Sequence, residues 1–226
     1  MNETIKILYQ DDMLAVVVKP VGVLSQSDRT GELSMTELLA AQLGKDIFPV
    51  HRLDRAVGGV MVFAMTKAAA GKLSALLGTD AFEKEYITVV HGEPAEKSGE
   101  FFDYLRHDAR RNMTSVVPKE EKDAKDAKLS YTLLQSDGEF SLVRVRLHTG
   151  RTHQIRVQFS SRNMSIAGDG KYGARDRMGL ALWSYRLAFR HPIRKKRMVF
   201  TALPDENVTP WDRFLTKAQD RTEKGN

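Results

Sequence analysis

Apolar and polar positions alternate with a period of two in several short stretches of this chain, and follow helical spacing in only a few. Ile5 to Leu8 and Leu14 to Val18 read as a strand pair joined at Gln10-Asp11-Asp12, and Lys19-Pro20-Val21-Gly22 breaks the run as a turn. Ser34-Met35-Thr36-Glu37 has the capping-box spacing, Leu38, Leu39 and Leu43 continue one helical face, and Gly44 supplies a stop. Val60 to Met65 is apolar without a break, as expected of a strand buried on both faces. Thr66 can cap a helix from Lys67 to Leu77 that Gly78 ends. Tyr86 to Val90 reads as a strand with Tyr86, Thr88 and Val90 on one face. The charged run 119–128, KEEKDAKDAK, predicts a loop or hairpin tip.

Phe140 to His148 alternates cleanly, with Val143, Val145 and Leu147 facing one way and Arg144, Arg146 and His148 the other. Thr149-Gly150 then leads into a helix expected near 151–161. Starting it at Arg151 would gather amide groups, the positive dipole end and a guanidinium at one place, which suits an anion. Trp183 to Phe189 and Met198 to Ala202 form a last strand pair around Arg194-Lys195-Lys196-Arg197. Many short strands with interspersed helices and no βαβ regularity predict an α+β domain on a mixed, mostly antiparallel sheet with flanking helices.

The 226 residues can bury one sizeable core or two small ones, and a single domain over 1–226 is the expectation. The chain has no cysteine, which excludes disulfides, thiolate nucleophiles and cysteine-ligated zinc. Its first residues lack a signal-peptide pattern and no apolar run is long enough to span a bilayer, so a cytoplasmic location is expected. Thirty-five Lys and Arg against 29 Asp and Glu give a net charge of +6. The basic residues cluster at 106–111, 144–156 and 186–197, a distribution compatible with a polyanionic partner.

The densest chemistry lies in His51-Arg52-Leu53-Asp54-Arg55, which precedes Gly58-Gly59 and the apolar strand. A carboxylate at a turn entering a buried strand needs a cationic partner. Asp54 could be an ordinary turn residue or ion pair, but the surrounding charge is denser than a turn requires. A metal site built on His51, Asp54 and His153 is disfavoured by the adjacent arginines, and no nucleophile elbow is present for a serine hydrolase. Gly168-x-Gly170-x-x-Gly173 fits a dinucleotide-binding fingerprint by letter only, because it follows no convincing strand in a βαβ unit.

Six segments, in order, resemble the RluA family of RNA pseudouridine synthases. They are Lys19-Pro20-Val21-Gly22; His51 to Arg55; Lys84-Glu85-Tyr86 with Val90-His91-Gly92; Gly150-Arg151-Thr152-His153-Gln154-Ile155-Arg156-Val157; Ile166 to Gly173; and Phe189-Arg190-His191-Pro192. The family usually continues HRLDR with x-T-S-G, where this chain has Ala56-Val57-Gly58-Gly59, and favours His at Gln158. The resemblance implies isomerisation of uridine to pseudouridine in ribosomal or transfer RNA, without metal or cofactor. Asp54 would begin cleavage of the glycosidic bond, Arg156 would pair with it, and Tyr86 would lie against the uracil. Arg52 would enter the space left by a flipped base. Lys19, His51, Arg52, Arg55, Arg151, His153 and Gln154 would contact RNA. No S4-like RNA-binding module is expected ahead of the first segment, nor an obligate protein partner, and a monomer is expected. The rival reading is an RNA-binding protein with little catalysis, against which the joint presence of Asp54, Tyr86 and Arg156 argues.

Overall fold

The computed structural model describes residues 4–28 and 30–215, so the expected domain over 1–226 extends outside the described residues at 1–3, 29 and 216–226. In chain order the strands are β1 (Lys6–Gln10), β2 (Leu14–Lys19), β3 (Phe48–Pro49), β4 (Gly58–Ala64), β5 (Phe82–His91), β6 (Ser98–Asp108), β7 (Met113–Val117), β8 (Lys125–Ser136), β9 (Phe140–Leu147), β10 (Leu182–Arg190) and β11 (Arg197–Thr201). The helices are α1 (Met35–Leu43), α2 (Lys67–Ser74) and α3 (Gln154–Ser160). Antiparallel pairs and a parallel contact of β4 on β10 occur together, which makes the fold α+β on a mixed sheet, as the sequence pattern predicts. Backbone contacts divide the chain into two compact units, Met1–Lys84 with Trp183–Leu203, and Glu85–Leu182 with Pro204–Asn226.

In the first unit the predicted pair β1–β2 forms and β2 continues antiparallel onto β4, with Val18 opposite Val60 and Lys19 opposite Gly59. Every residue of β4 is buried, in line with its unbroken apolar run. Its core gathers Leu14, Val16, Val60, Val62, Leu187 and Phe189 beneath Ala69 and Leu73 of α2. The capping box on α1 is real: Ser34 N donates to Glu37 Oε2 at 2.9 Å, and Gly44 ends the helix at φ 63°. Thr66 caps α2 by accepting from Ala69 N at 3.1 Å. That helix stops at Ser74 rather than Leu77, because its chain tightens into three-residue turns at Leu76, Leu77 and Thr79.

The paired glycines after Asp54 have a steric cause. A Cβ on Gly58 would lie 2.3 Å from Trp183 Cζ3, and one on Gly59 would lie 2.2 Å from the Ser184 carbonyl oxygen. Gly59 also holds φ +117°, in the region that favours glycine. The parallel register, Trp183 opposite Gly58 and Ser184 opposite Gly59, brings those backbones together. The serine that the resemblance leads one to expect at position 58 would meet the Trp183 ring here. Gly58→Ser is expected to destabilise the protein by about 1–3 kcal/mol through overpacking. Trimming the ring with Trp183→Leu should make the double variant lose less than the two single losses combined. Urea unfolding of the four proteins measures this, and strict additivity would refute the steric account.

In the second unit β9 pairs with β8, β8 with β6, and β6 with β7, all antiparallel. Residues 119–128 do not form one loop. The turn closes by residue 124, and Lys125 to Lys128 already belong to β8, opposite Leu105 to Phe102. The abundance of charge hides a period-two pattern there: Ala127 and Leu129 are fully buried, while Asp126 and Lys128 alternate outward. The strand expected at Tyr86 to Val90 is found, within β5, and all five residues are buried; the Thr88 hydroxyl is satisfied by the Ala181 carbonyl at 2.8 Å.

The helix expected from Arg151 begins three residues later, at Gln154. His153 takes φ 53°, a left-handed conformation that cannot continue a right-handed helix. The Gln154 side chain turns back to accept from Arg151 N at 3.0 Å and Thr149 Oγ1 at 2.8 Å. Arg151 instead reaches across to Asp126, donating to its carbonyl at 2.8 Å and its carboxylate at 2.7 Å. The anion site expected at the start of this helix is thus not assembled.

Candidate active site

Asp54 is half-buried at the start of a tight turn, where its carbonyl accepts from Val57 N at 3.0 Å. Both flanks of the turn are held by the Lys19–Ser25 segment. On one side Ser25 Oγ donates to the Leu53 carbonyl at 2.8 Å and receives Leu53 N at 3.0 Å. On the other, Gly22 N donates to the Arg55 carbonyl at 2.9 Å, and Arg55 Nε returns to the Gly22 carbonyl at 2.9 Å. The Arg55 guanidinium completes a salt bridge to Glu32 at 2.7 Å. The KP-x-G segment is therefore the clamp of the Asp54 turn.

Lys19 lies inside that clamp, fully buried, with its ammonium donating to the carbonyls of Pro20 at 2.9 Å, Val23 at 2.6 Å and Arg55 at 3.2 Å. Its expected place among the RNA contacts is corrected accordingly: its protons face protein carbonyls and no charge is presented to a phosphate. Burial pushes its pKa down to about 8, opposed by the nearby Asp54 carboxylate and assisted by the Arg55 charge. An amine has too few protons to serve three carbonyls, so turnover is expected to fall as pH rises through about 8. Stability should move the other way on this group's account. Its folded pKa lies below the ordinary 10.5, so the unfolded chain binds the extra proton between about 8 and 10.5, and stability rises with pH there. A pH–rate profile beside urea midpoints tests both signs, and an alkaline limb retained in Lys19→Gln would assign it elsewhere.

His51 is likewise buried, its Nε2 accepting from Val62 N at 3.2 Å and its ring edge against Phe82. Burial first, then the Lys84 charge, lowers its pKa to about 3, so it is neutral and structural rather than a cationic RNA contact. Arg52, by contrast, is exposed and makes no hydrogen bond or ion pair among the described residues. It is the exposed cation of the HRLD segment. His191 of the last motif closes the β10–β11 turn, with Nδ1 accepting from Ile193 N and Arg194 N and Nε2 on Asp11 at 2.8 Å.

The second unit carries Tyr86, buried on β5, and the GRTHQIRV segment. Arg156, on α3, is buried and donates through Nε and Nη2 to the two oxygens of Asp169, both at 2.7 Å. This forked geometry fixes the plane of the guanidinium as a single bond could not. Its carbon also sits 5.0 Å from the centre of the Tyr172 ring. The Tyr172 hydroxyl accepts from Thr114 N and lies 2.9 Å from His153 Nδ1, which binds His153 to the same scaffold. Gln154 is 2% exposed, and its amide also donates to the Lys128 carbonyl at 3.1 Å. Gln154 therefore braces the turn rather than reading RNA. Arg151 remains partly exposed beside Asp126. Asp169, Tyr172 and Ser25 had no role assigned from sequence. The first two lay in a recognised motif, whereas nothing local singles out Ser25. Among the described residues no group of three or more His, Asp or Glu could hold a metal ion.

Comparison with known proteins bears on the family and the fold. The profile of the family described as RNA pseudouridylate synthase matches residues 13–161. The chain is 30% identical to tRNA pseudouridine synthase C of Haemophilus influenzae, over 94% of this chain and 97% of that protein. It is 29% identical to the protein of the same name from Pasteurella multocida, over 92% and 98%. The solved structure of human RNA Pseudouridylate Synthase Domain Containing 4 shares the fold, with a TM-score of 0.76 at 24% identity, covering 95% of this chain and 93% of that one. With the motifs in place along the whole described fold, the chain belongs to the RNA pseudouridylate synthase family, enzymes that isomerise uridine in RNA.

Proposed function

We propose that this enzyme forms pseudouridine in transfer RNA, with Asp54 as the carboxylate that begins cleavage of the N-glycosidic bond. The observation that carries the assignment is the Asp54 turn itself, pinned on both sides by Lys19, Gly22 and Ser25 with Asp54 only half-buried. The uracil leaves the ribose at N1 and returns through C5, whose hydrogen passes to water as N1 gains one, so no oxidant, hydrolysis or cofactor is required. A stacked uridine must first be flipped out, at a cost of a few kcal/mol, and the exposed Arg52 would fill the gap. Tyr86 and Arg156 are assigned to the same step, as the family resemblance implies. Transfer RNA as the substrate is supported by the names of the two bacterial relatives, which this chain matches nearly end to end. The reading is of one catalytic domain acting as a cytoplasmic monomer.

The test is release of tritium from uracil C5 in RNA taken from cells that lack this gene. Release from the transfer RNA fraction supports the proposal. Release from ribosomal RNA alone would replace the substrate, and none from either would favour an RNA-binding protein without catalysis.

A further inference from the structure

The second unit presents an open sheet face that the isomerisation reading does not use. Residues directly opposite one another on paired strands share a face. On this side β6 contributes Phe102, Tyr104 and Arg106, β8 contributes Lys128 and Ser130, and β9 contributes Arg144 and Arg146. The other side is the core side, where Leu105, Ala127, Leu129, Val143 and Val145 are buried and Phe101 packs against Phe159 of α3.

Phe102 is 54% exposed, the most exposed of the chain's described aromatics among its large hydrophobics, and its ring meets Tyr104 edge-on at 5.4 Å. Lys128 stands directly opposite Phe102 and pairs with Glu100, while Arg144 is exposed two residues along the face from Arg146. The face is continuous with the GRTHQIRV turn, because Asp126, opposite Tyr104, is the residue that holds Arg151. Aromatic rings on a solvent-facing sheet, set among cations, are the means by which proteins stack unpaired bases and hold the phosphates between them. A protein partner would call for a larger apolar patch than one phenyl and one phenol ring, and the cationic surround is complementary to a polyanion.

We propose that this face is an auxiliary RNA-binding platform that takes a single-stranded segment of the substrate, one base stacking on Phe102 beside Tyr104 and the neighbouring phosphates meeting Lys128 and Arg144. The proposal rests on the reading of this protein as an enzyme acting on RNA. The platform contributes affinity and does not touch the reacting uridine.

The test is binding of a short fluorescein-labelled oligouridylate, followed by anisotropy at low salt, together with tritium release from bulk transfer RNA. Base–aromatic stacking makes Phe102→Ala expected to weaken oligouridylate binding by about tenfold, within a range of roughly 5- to 150-fold. Phe102→Tyr, which keeps a stacking surface, should stay within about twofold of the wild type. Turnover at saturating RNA should be unchanged in Phe102→Ala, with KM raised. Oligouridylate binding that is equal in the wild type and Phe102→Ala would overturn the platform, as would self-association in sedimentation that Phe102→Ala abolishes while RNA affinity stays constant. Tritium release by the wild type would leave the enzymatic reading intact in either case. A Phe102-dependent affinity without any tritium release would instead retain the platform and reject catalysis.

Discussion

Asp54→Asn is expected to reduce tritium release by about 10³-fold or more while RNA affinity stays within a few-fold of the wild type. Asparagine keeps the size and the turn but removes the charge and the nucleophilic or basic oxygen. The turn should survive the change, because its backbone is held by bonds to Leu53, Arg55 and Val57 that do not involve the Asp54 carboxylate. Loss of that charge also removes the attraction that favours protonated Lys19, so the Lys19 pKa should fall further below about 8. Folding stability is therefore measured beside turnover. A variant that folds, binds RNA and still turns over at near-normal rates would remove Asp54 from the chemistry.

The parts of this fold legible in the sequence are those decided by neighbours along the chain. The capping box at Ser34, the Gly44 stop, the Thr66 cap and the unbroken apolar run of β4 each depend on residues a few positions apart. The motifs that single out Asp54, Arg156 and Tyr86 as candidates are local in the same way. What escaped was set by distant partners. Gly58 and Gly59 are explained by Trp183 and Ser184, more than a hundred residues on, and Leu53 is held by Ser25. The basic residues around Asp54 looked alike as letters but have different environments. Lys19 is enclosed by carbonyls, Arg55 is locked to Glu32, and only Arg52 presents an unengaged charge among the described residues. Burial separates them, and burial comes from strand pairing that no local pattern records. The start of α3 failed for a related reason. The polar Thr149–Gln154 stretch satisfies its own backbone groups with the Gln154 side chain, which competes successfully with another helical turn.

The Asp169 clamp gives the second large expected effect. Asp169 is 2% exposed and both of its oxygens bind Arg156, so Asp169→Ala would take from a buried guanidinium the carboxylate it is forked onto. Removing one partner of such a pair typically costs about 3–5 kcal/mol. Part of that loss would appear in stability, and urea unfolding measures it. Asp169→Asn separates the two roles, since an amide still offers one acceptor oxygen but cannot complete the fork or neutralise the charge. It is expected to fold with a smaller loss, bind RNA nearly normally, and lower kcat by about tenfold or more without a matching change in KM. Arg156→Lys should not restore activity in either background, because an ammonium is a point charge that cannot span two carboxylate oxygens in a plane. Near-normal kcat in a stable Asp169→Asn protein would show that the orientation of Arg156 does not depend on the clamp. Equal losses of stability and activity across all three variants would make the pair structural. A fall in kcat beyond what stability explains would place Arg156 in the chemical step and Asp169 as the residue that aims it.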